Sequence, residues 1–408
     1  MFIVDAIRTP YGQRGGALSL WHPVDLAAES LKRLLRRCET EGSAVDAVIL
    51  GCTSQVGAQA CNIARRAVLA AGWPEDVPGA TIDSHAASSA QAVHWAAQAV
   101  MSGAHGLVVA GGVELMTAVP LGAALAQPEI GKPCGRGLLE RYGSGAGFLP
   151  PGLAAEEVAR RWSFGRAELD AWAVQSRERA LVAQSDPPSF ILPVATAFPA
   201  AVAIEPSVRA RPPVPTKVPH PYADRPGLLV RDERLDRPWS ARQVSALPAA
   251  YVEGGVTTAG NLAGEADGAS AVLVASPERA RVLAVKPKAR FVSLATAGVA
   301  PAIWPVATIP ATQQALSMAG LLPGDIDQWY VYESSAAAAL AWMGSIGADE
   351  ARVNRDGGAL ASGAPLGAVG GGIFAAAVSR LVDSAETRAV VAVAGEGGVA
   401  TACVIEAV

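Results

Sequence analysis

The chain predicts an α/β architecture made of two copies of one strand–helix plan, with a different kind of segment inserted after the first copy. Three observations carry this. The segment from Val45 to Gly51 reads as a helix end feeding a buried strand, and Asp325 to Tyr332 repeats that arrangement late in the chain. Each copy continues through an alanine-rich helical stretch into a loop that opens a long buried helix, Ala86 to Val100 first and Leu366 to Leu381 second. Each then closes on an apolar strand and a glycine turn, Leu107 to Gly112 and Val390 to Gly395. Strands alternating with helices imply sheets covered on both faces.

The inserted segment runs from about Val119 to Asp236. Helical patterns from Leu153 to Trp162 and from Arg166 to Ala183 alternate with loops, and a proline-rich run extends from Arg211 to Pro221. Prolines at that density deny a helix or a central strand and favour an extended surface path. Residues 1–118 are therefore expected to form the first half and 119–236 an inserted loop domain. Residues 237–262 return to the first half, and 263–408 form the second.

Composition suits a soluble, enzyme-like domain too long for one small core. The apolar fraction is 51%, its excess mostly alanine, and its runs are broken every few residues, so no stretch reads as membrane-spanning. The start moves directly into a strand, Phe2-Ile3-Val4, without a basic region and apolar signal core. The end carries no peroxisomal address, and the cytoplasm is the expected compartment. A net charge of -4 gives no reason to expect a nucleic-acid surface. The five cysteines, Cys38, Cys52, Cys61, Cys134 and Cys403, show no metal-ligand spacing and read as free thiols. Cys52 and Cys403 fall in apolar strand-like runs, Cys134 is the expected exposed thiol, and none is assigned catalysis. No metal and no bound cofactor are expected.

Co-linear motifs then run from end to end. They are Ile7-Arg8-Thr9-Pro10 with Gly12; Gly51-Cys52 with Gln55, Gly57, Asn62, Ala64 and Arg65; and Gly111-Gly112-Val113-Glu114-Leu115-Met116. Later come Gly254-Gly255, Thr257 to Asn261, Asp267-Gly268-Ala269, and Gly357-Gly358-Ala359 with Gly363, Pro365, Leu366 and Gly367. This series resembles the thiolase superfamily, whose members make or break a carbon–carbon bond in acyl-CoA thioesters. The resemblance implies a five-layered fold of two pseudo-equivalent halves, with the insertion covering the pantetheine and adenine ends of coenzyme A. It also implies at least a homodimer, or a tetramer. Arg209, Arg211 and Lys217 could meet a phosphate, although exposed cations are more often only solvated.

The chemistry departs from that pattern. Thiolases use a cysteine thiolate to accept the acyl group, a histidine to activate it and a second cysteine to shuttle the α-proton. By motif, those positions hold Ala86, Ala364 and Ala394. The motif whose asparagine holds an oxyanion-hole water reads Tyr332-Glu333-Ser334-Ser335, and Trp304 stands where smaller residues are usual. Both glycine frames persist around these changes, so the pattern reads as a rebuilt pocket rather than decay.

The polar groups left near the lost triad are Tyr332, His85 and Glu396, the candidate catalytic residues. His85 faces either the reaction centre or a packing or dimer contact. Tyr332 either donates to a carbonyl or fills a cavity, and Glu396 is either a base or a solvated or arginine-paired carboxylate. Ser88 and Ser89 read as helix caps, and His94 as a satisfied buried histidine. Ser88, Met116, Trp304, Glu333, Ser334, Ser335 and Ser362 are the candidate substrate-binding residues, with Glu333 also suited to a structural role. The backbone N–H of residue 86 at a helix start can still polarise a thioester carbonyl.

Three readings follow. The chain is an enzyme acting next to the thioester of an acyl-CoA or acyl-carrier substrate without an acyl-cysteine; or a non-catalytic subunit supporting a heteromeric partner; or a thiolase-like aldolase using Tyr332. Ordinary thiolysis is not expected.

Overall fold

The computed structural model describes residues 1–126, 131–143, 148–196, 227–237 and 239–408. The proline-rich run and Arg209, Arg211 and Lys217 lie outside the described residues.

Both halves share one strand arrangement. In the first, Ala47–Gly51 pairs in parallel with Gly79–Ile82 and Leu107–Leu115; Leu107–Leu115 is antiparallel to Ala266–Ala275, which is antiparallel to Phe2–Arg8. Strand Ala266–Ala275 thus pairs with the first half, although the expected boundary at residue 262 puts it in the second. In the second, Gln328–Val331 is parallel to Arg388–Gly395, which is antiparallel to Val399–Ala407, itself antiparallel to Ala289–Gly298. A parallel bridge from Trp329 to Val353 stands where the first half has its edge strand. Phe2 and Ile3 pair with Arg290 and Ala289, joining the halves into one ten-stranded sheet that includes the short strand Gly12–Gln13.

Period-two alternation along these strands builds five layers. Val108 and Ala110 face an inner core shared with Val391 and Val393 of the other half. Between the two halves of the sheet lie the central helices Ser88–Met101 and Leu366–Asp383. Val109 and Val113 face outward onto Pro23–Arg37 and Ile63–Ala70. Val390 and Ala392 face outward onto Thr308–Ala319 and Ala336–Ile346. Alternation of this kind is what strand geometry imposes when both faces are buried. Pro23 at the first helical turn, Asp25 near the N-terminus and Arg36 and Arg37 in the last turn set the first outer helix.

The central helices approach closely because small residues meet there. Ser89 does not cap its own helix: its Oγ accepts from Gly371 N at 3.0 Å, across to the other central helix. A Cβ on Gly112 would overlap the Gly367 carbonyl, so only glycine lets that helix start rest on the sheet. Leu366–Asp383 has 18 residues at mean hydropathy 1.4, long and apolar enough to cross a membrane by length and composition, contrary to the expectation from the sequence. Its position between the two halves of the sheet, 61% buried, is that of a core helix.

Candidate active site

The site is assembled from two loops. The first is the turn before helix Ser88–Met101. His85 adopts a left-handed conformation, φ +52°, and its N–H donates to Asp83 Oδ1 at 2.8 Å. Ser88 Oγ accepts from Ser84 N at 2.8 Å and donates to the His85 carbonyl, so this serine fastens the turn. An Asp side chain bonding two residues ahead is a common way to stabilise such a turn.

The second loop follows strand Arg388–Gly395. A Cβ on Gly395 would overlap the Ser84 carbonyl, so the missing side chain lets the loops touch. This contact brings Glu396 Oε2 to 3.9 Å from His85 Nδ1. The imidazole Nδ1 has no hydrogen-bond partner among the described residues. Burial raises the Glu396 carboxyl above its ordinary range; the His85 charge opposes this, and Asp83 adds to it.

A cavity of about 60 Å³ opens beside these loops. Ala86 and Ala364 line it together with Tyr332, Ser334 and Glu396; Met116, Trp304 and Leu366 form apolar wall, and Leu121 and Pro151 approach from the inserted segment. Ala263, Gly264 and Glu265 complete the lining. Ala364 is held by its N–H donating to the Gly264 carbonyl at 2.8 Å. Trp304 is 2% exposed and anchored by Nε1 donating to the Leu149 carbonyl at 3.3 Å.

Tyr332 emerges at the end of strand Gln328–Val331, where its N–H donates to the Ala392 carbonyl. Its hydroxyl makes no hydrogen bond to any described residue. Burial, then the Glu396 charge, pushes its pKa well above the ordinary tyrosine value. Tyr332 is therefore a neutral donor at physiological pH, not a base. Ser334 Oγ is likewise buried and unpartnered.

Other candidates lie elsewhere. Glu333 is fully buried and accepts from Ser176 Oγ and Asn354 Nδ2, both at 2.8 Å, and from Trp172 Nε1 and Leu360 N. Ser335 Oγ accepts from Ala338 N as the cap of helix Ala336–Ile346. Ser362 Oγ donates to the Gly358 and Gly363 carbonyls and faces a second cavity, about 200 Å³, beside Arg8, Asp232 and Tyr330. That cavity is roomier, but the Arg8–Asp232 pair at 2.6 Å and the Tyr330–Asp356 hydrogen bond at 2.8 Å already satisfy its principal polar groups. Ala394 is buried in its strand facing the outer core. His94 differs from its expected state: neither ring nitrogen has a partner among the described residues, and burial lowers its pKa to about 4. Cys61, not Cys134, is the exposed thiol; Cys134 is half-buried, Cys52 and Cys403 are buried, and none of the five lines the small cavity.

The sequence reads Gly395 only as a turn glycine and does not single out Asp83. The Asp-x-His spacing at a turn could have flagged Asp83, whereas the steric role of Gly395 depends on a contact with residue 84. Chemically, the cavity offers a neutral donor and a carboxyl whose pKa burial raises, a pairing suited to proton transfer beside a polarised carbonyl.

Comparison with known proteins gives consistent matches. The model "Thiolase, N-terminal domain" matches residues 1–201, and "Thiolase, C-terminal domain" matches 285–407. A steroid 3-ketoacyl-CoA thiolase of Mycobacterium tuberculosis is 34% identical over 420 positions, covering 99% of this chain and 93% of that protein. A 3-oxoadipyl-CoA/3-oxo-5,6-dehydrosuberyl-CoA thiolase of Escherichia coli is 36% identical, covering 93% and 92%. The crystal structure of the Bacillus anthracis acetyl-CoA acetyltransferase superposes with a TM-score of 0.85 at 29% identity, covering 100% and 98%.

Proposed function

Because this chain belongs to the thiolase family, we propose that it binds an acyl-CoA or acyl-carrier thioester in the cavity beside Ala86 and makes or breaks a bond next to the thioester carbonyl without an acyl-cysteine. The observation carrying this reading is that Tyr332 and Glu396 share one cavity with Ala86 and Ala364, while no cysteine lines it.

Tyr332 donates its proton in a hydrogen bond to the thioester carbonyl oxygen, and Glu396 removes a proton from the α-carbon. The electron pair of that C–H bond forms a double bond to the carbonyl carbon while the carbonyl π pair moves onto oxygen, giving an enolate that the Tyr332 hydroxyl stabilises. Return of the proton completes exchange, and attack of the enolate carbon on a carbonyl partner forms a bond. Read in reverse, a β-hydroxyacyl thioester loses its hydroxyl proton to Glu396 and splits into an aldehyde or ketone and the enolate. One positioned oxyanion donor is worth roughly 10²–10³-fold in rate. A protonated His85 would favour the ionised Glu396 carboxylate, against the burial that raises its pKa.

Residues 119–236 act as the inserted loop domain in this reading, since Leu121 and Pro151 from that span line the cavity. Assembly as a homodimer or tetramer in the cytoplasm, without metal or resident cofactor, belongs to the same proposal. A second reading rests on the three alanines at positions 86, 364 and 394: a chain without a nucleophile can serve as a supporting subunit of a heteromeric enzyme.

The experiment that separates them is α-proton exchange. Wild-type protein with butyryl-CoA in D₂O should incorporate deuterium at the α-carbon, visible by NMR, and intact-mass analysis should find no covalent acyl adduct. An adduct on any residue overturns the non-covalent step. No exchange, together with no binding at millimolar ligand, favours the supporting subunit.

A further inference from the structure

Arg234 carries a positive charge that no described residue neutralises. Its guanidinium makes no ion pair and donates no hydrogen bond to any described residue, and its Nε is buried without a partner. The charges acting on it are those of Arg177 and Arg237. The acids of its own segment are committed elsewhere. Asp232 pairs with Arg8, Glu233 accepts from the N–H groups of Gln13 and Ala17, and Asp236 pairs with Arg231. Arg177 is itself bound to the carbonyls of Arg234, Leu235 and Arg237. Burial and two like charges both press the Arg234 pKa downward. An arginine desolvated without a counter-charge is costly and uncommon.

The side chain sits in a cradle made by two glycines. A Cβ on Gly363 would come within 2.9 Å of Arg234 Cδ, and one on Gly264 would overlap the guanidinium. Gly264 lines the small cavity, and its carbonyl holds Ala364. The guanidinium is thus separated from the cavity by the backbone of a residue with no side chain, and Arg234 is partly exposed.

We propose that Arg234 is the receptor for an oxyanion, carboxylate or phosphate, carried by the thioester that occupies the cavity. The proposal rests on the acyl-thioester reading above. A planar fork of donors matches two oxygens of either group, and Arg237 strengthens the attraction. Anion binding also supplies the missing counter-charge.

The test titrates butyryl-pantetheine, glutaryl-pantetheine, butyryl-CoA and glutaryl-CoA against wild-type protein, Arg234→Gln and Arg234→Lys by calorimetry. Arg234→Gln should weaken the anion-bearing ligands by roughly tenfold or more and leave butyryl-pantetheine unchanged. Arg234→Lys should recover part of the loss. A loss that follows the glutaryl group on both carriers identifies a carboxylate, and one that follows CoA with both acyl groups identifies a phosphate. Because an uncompensated cation is removed, the Tm of Arg234→Gln should stay level or rise. Equal weakening of all four ligands, or of none, overturns the proposal. If wild-type protein binds none at millimolar concentration, the acyl-thioester reading fails first, an outcome distinct from ligands that bind regardless of residue 234.

Discussion

His85 Nδ1 lies 3.9 Å from Glu396 Oε2, too far for a hydrogen bond and near enough for an imidazolium charge to lower the Glu396 carboxyl. This approach joins two loops more than three hundred positions apart. It exists because Gly395 presents no Cβ to the Ser84 carbonyl.

The first prediction concerns that pair. Burial raises the Glu396 carboxyl, and the His85 cation lowers it. Loss of the cation in His85→Ala should therefore move the acidic limb of the α-exchange profile to higher pH, because the carboxylate needed as base forms later. Glu396→Gln should abolish exchange at every pH. The measurement is deuterium uptake between pH 5 and 9, and a limb that stays in place or moves to lower pH sinks the electrostatic link.

Tyr332→Phe removes a hydroxyl that no described residue bonds. Exchange should fall by roughly 10²–10³-fold, the cost of one oxyanion donor. Stability should change by less than about 1 kcal/mol, since no buried partner is orphaned. Denaturant unfolding and exchange rates on the same preparation check both halves. A large stability loss with exchange preserved would recast Tyr332 as packing.

The fold was legible because its signals are local and repeated. Val390, Val391, Ala392 and Val393 read as a buried strand whichever sheet they join, and the alternation that sends Val391 inward and Val390 outward follows from backbone geometry. The turn at residues 83–88 was legible in place but not in content. Sequence put Ser88 at a helix start, while its role of fastening Ser84 to His85 depends on backbone torsions that no single residue announces. Glu333 was ambiguous because two of its partners, Trp172 and Ser176, lie 161 and 157 positions away. Arg234 gave no sequence signal at all, since an arginine among Asp232, Glu233 and Asp236 reads as paired until those acids are seen facing elsewhere.

Glu333 should prove structural. Its carboxylate gathers Trp172, Ser176, Asn354 and Leu360, tying the helix Arg166–Ala183 to the second half. Glu333→Gln turns an all-acceptor group into one that points an N–H₂ at donors, and should cost about 2–4 kcal/mol in unfolding free energy. Calorimetric affinity for butyryl-CoA at a temperature where the variant is folded should remain within roughly twofold. A variant of wild-type stability with lost binding would return Glu333 to the substrate site.

The last prediction is a pH dependence of stability centred on His94. Burial lowers its pKa from the ordinary 6.5 to about 4, and neither ring nitrogen has a partner among the described residues. The unfolded chain takes up the proton near its ordinary pKa, whereas the folded chain refuses it until about 4. Between those values the unfolded state binds more protons, so stability falls as pH falls, and the loss is complete below the folded pKa. Its full size is about 3 kcal/mol from this group. Above pH 7 both states are neutral and the residue contributes no such slope. His94→Leu keeps an apolar side chain in the inner core and should flatten the stability profile between pH 6.5 and 4 relative to wild type, with little difference at pH 8 beyond repacking. Urea unfolding across that range measures it. Parallel profiles for the two proteins would mean that His94 takes up its proton without opening the core.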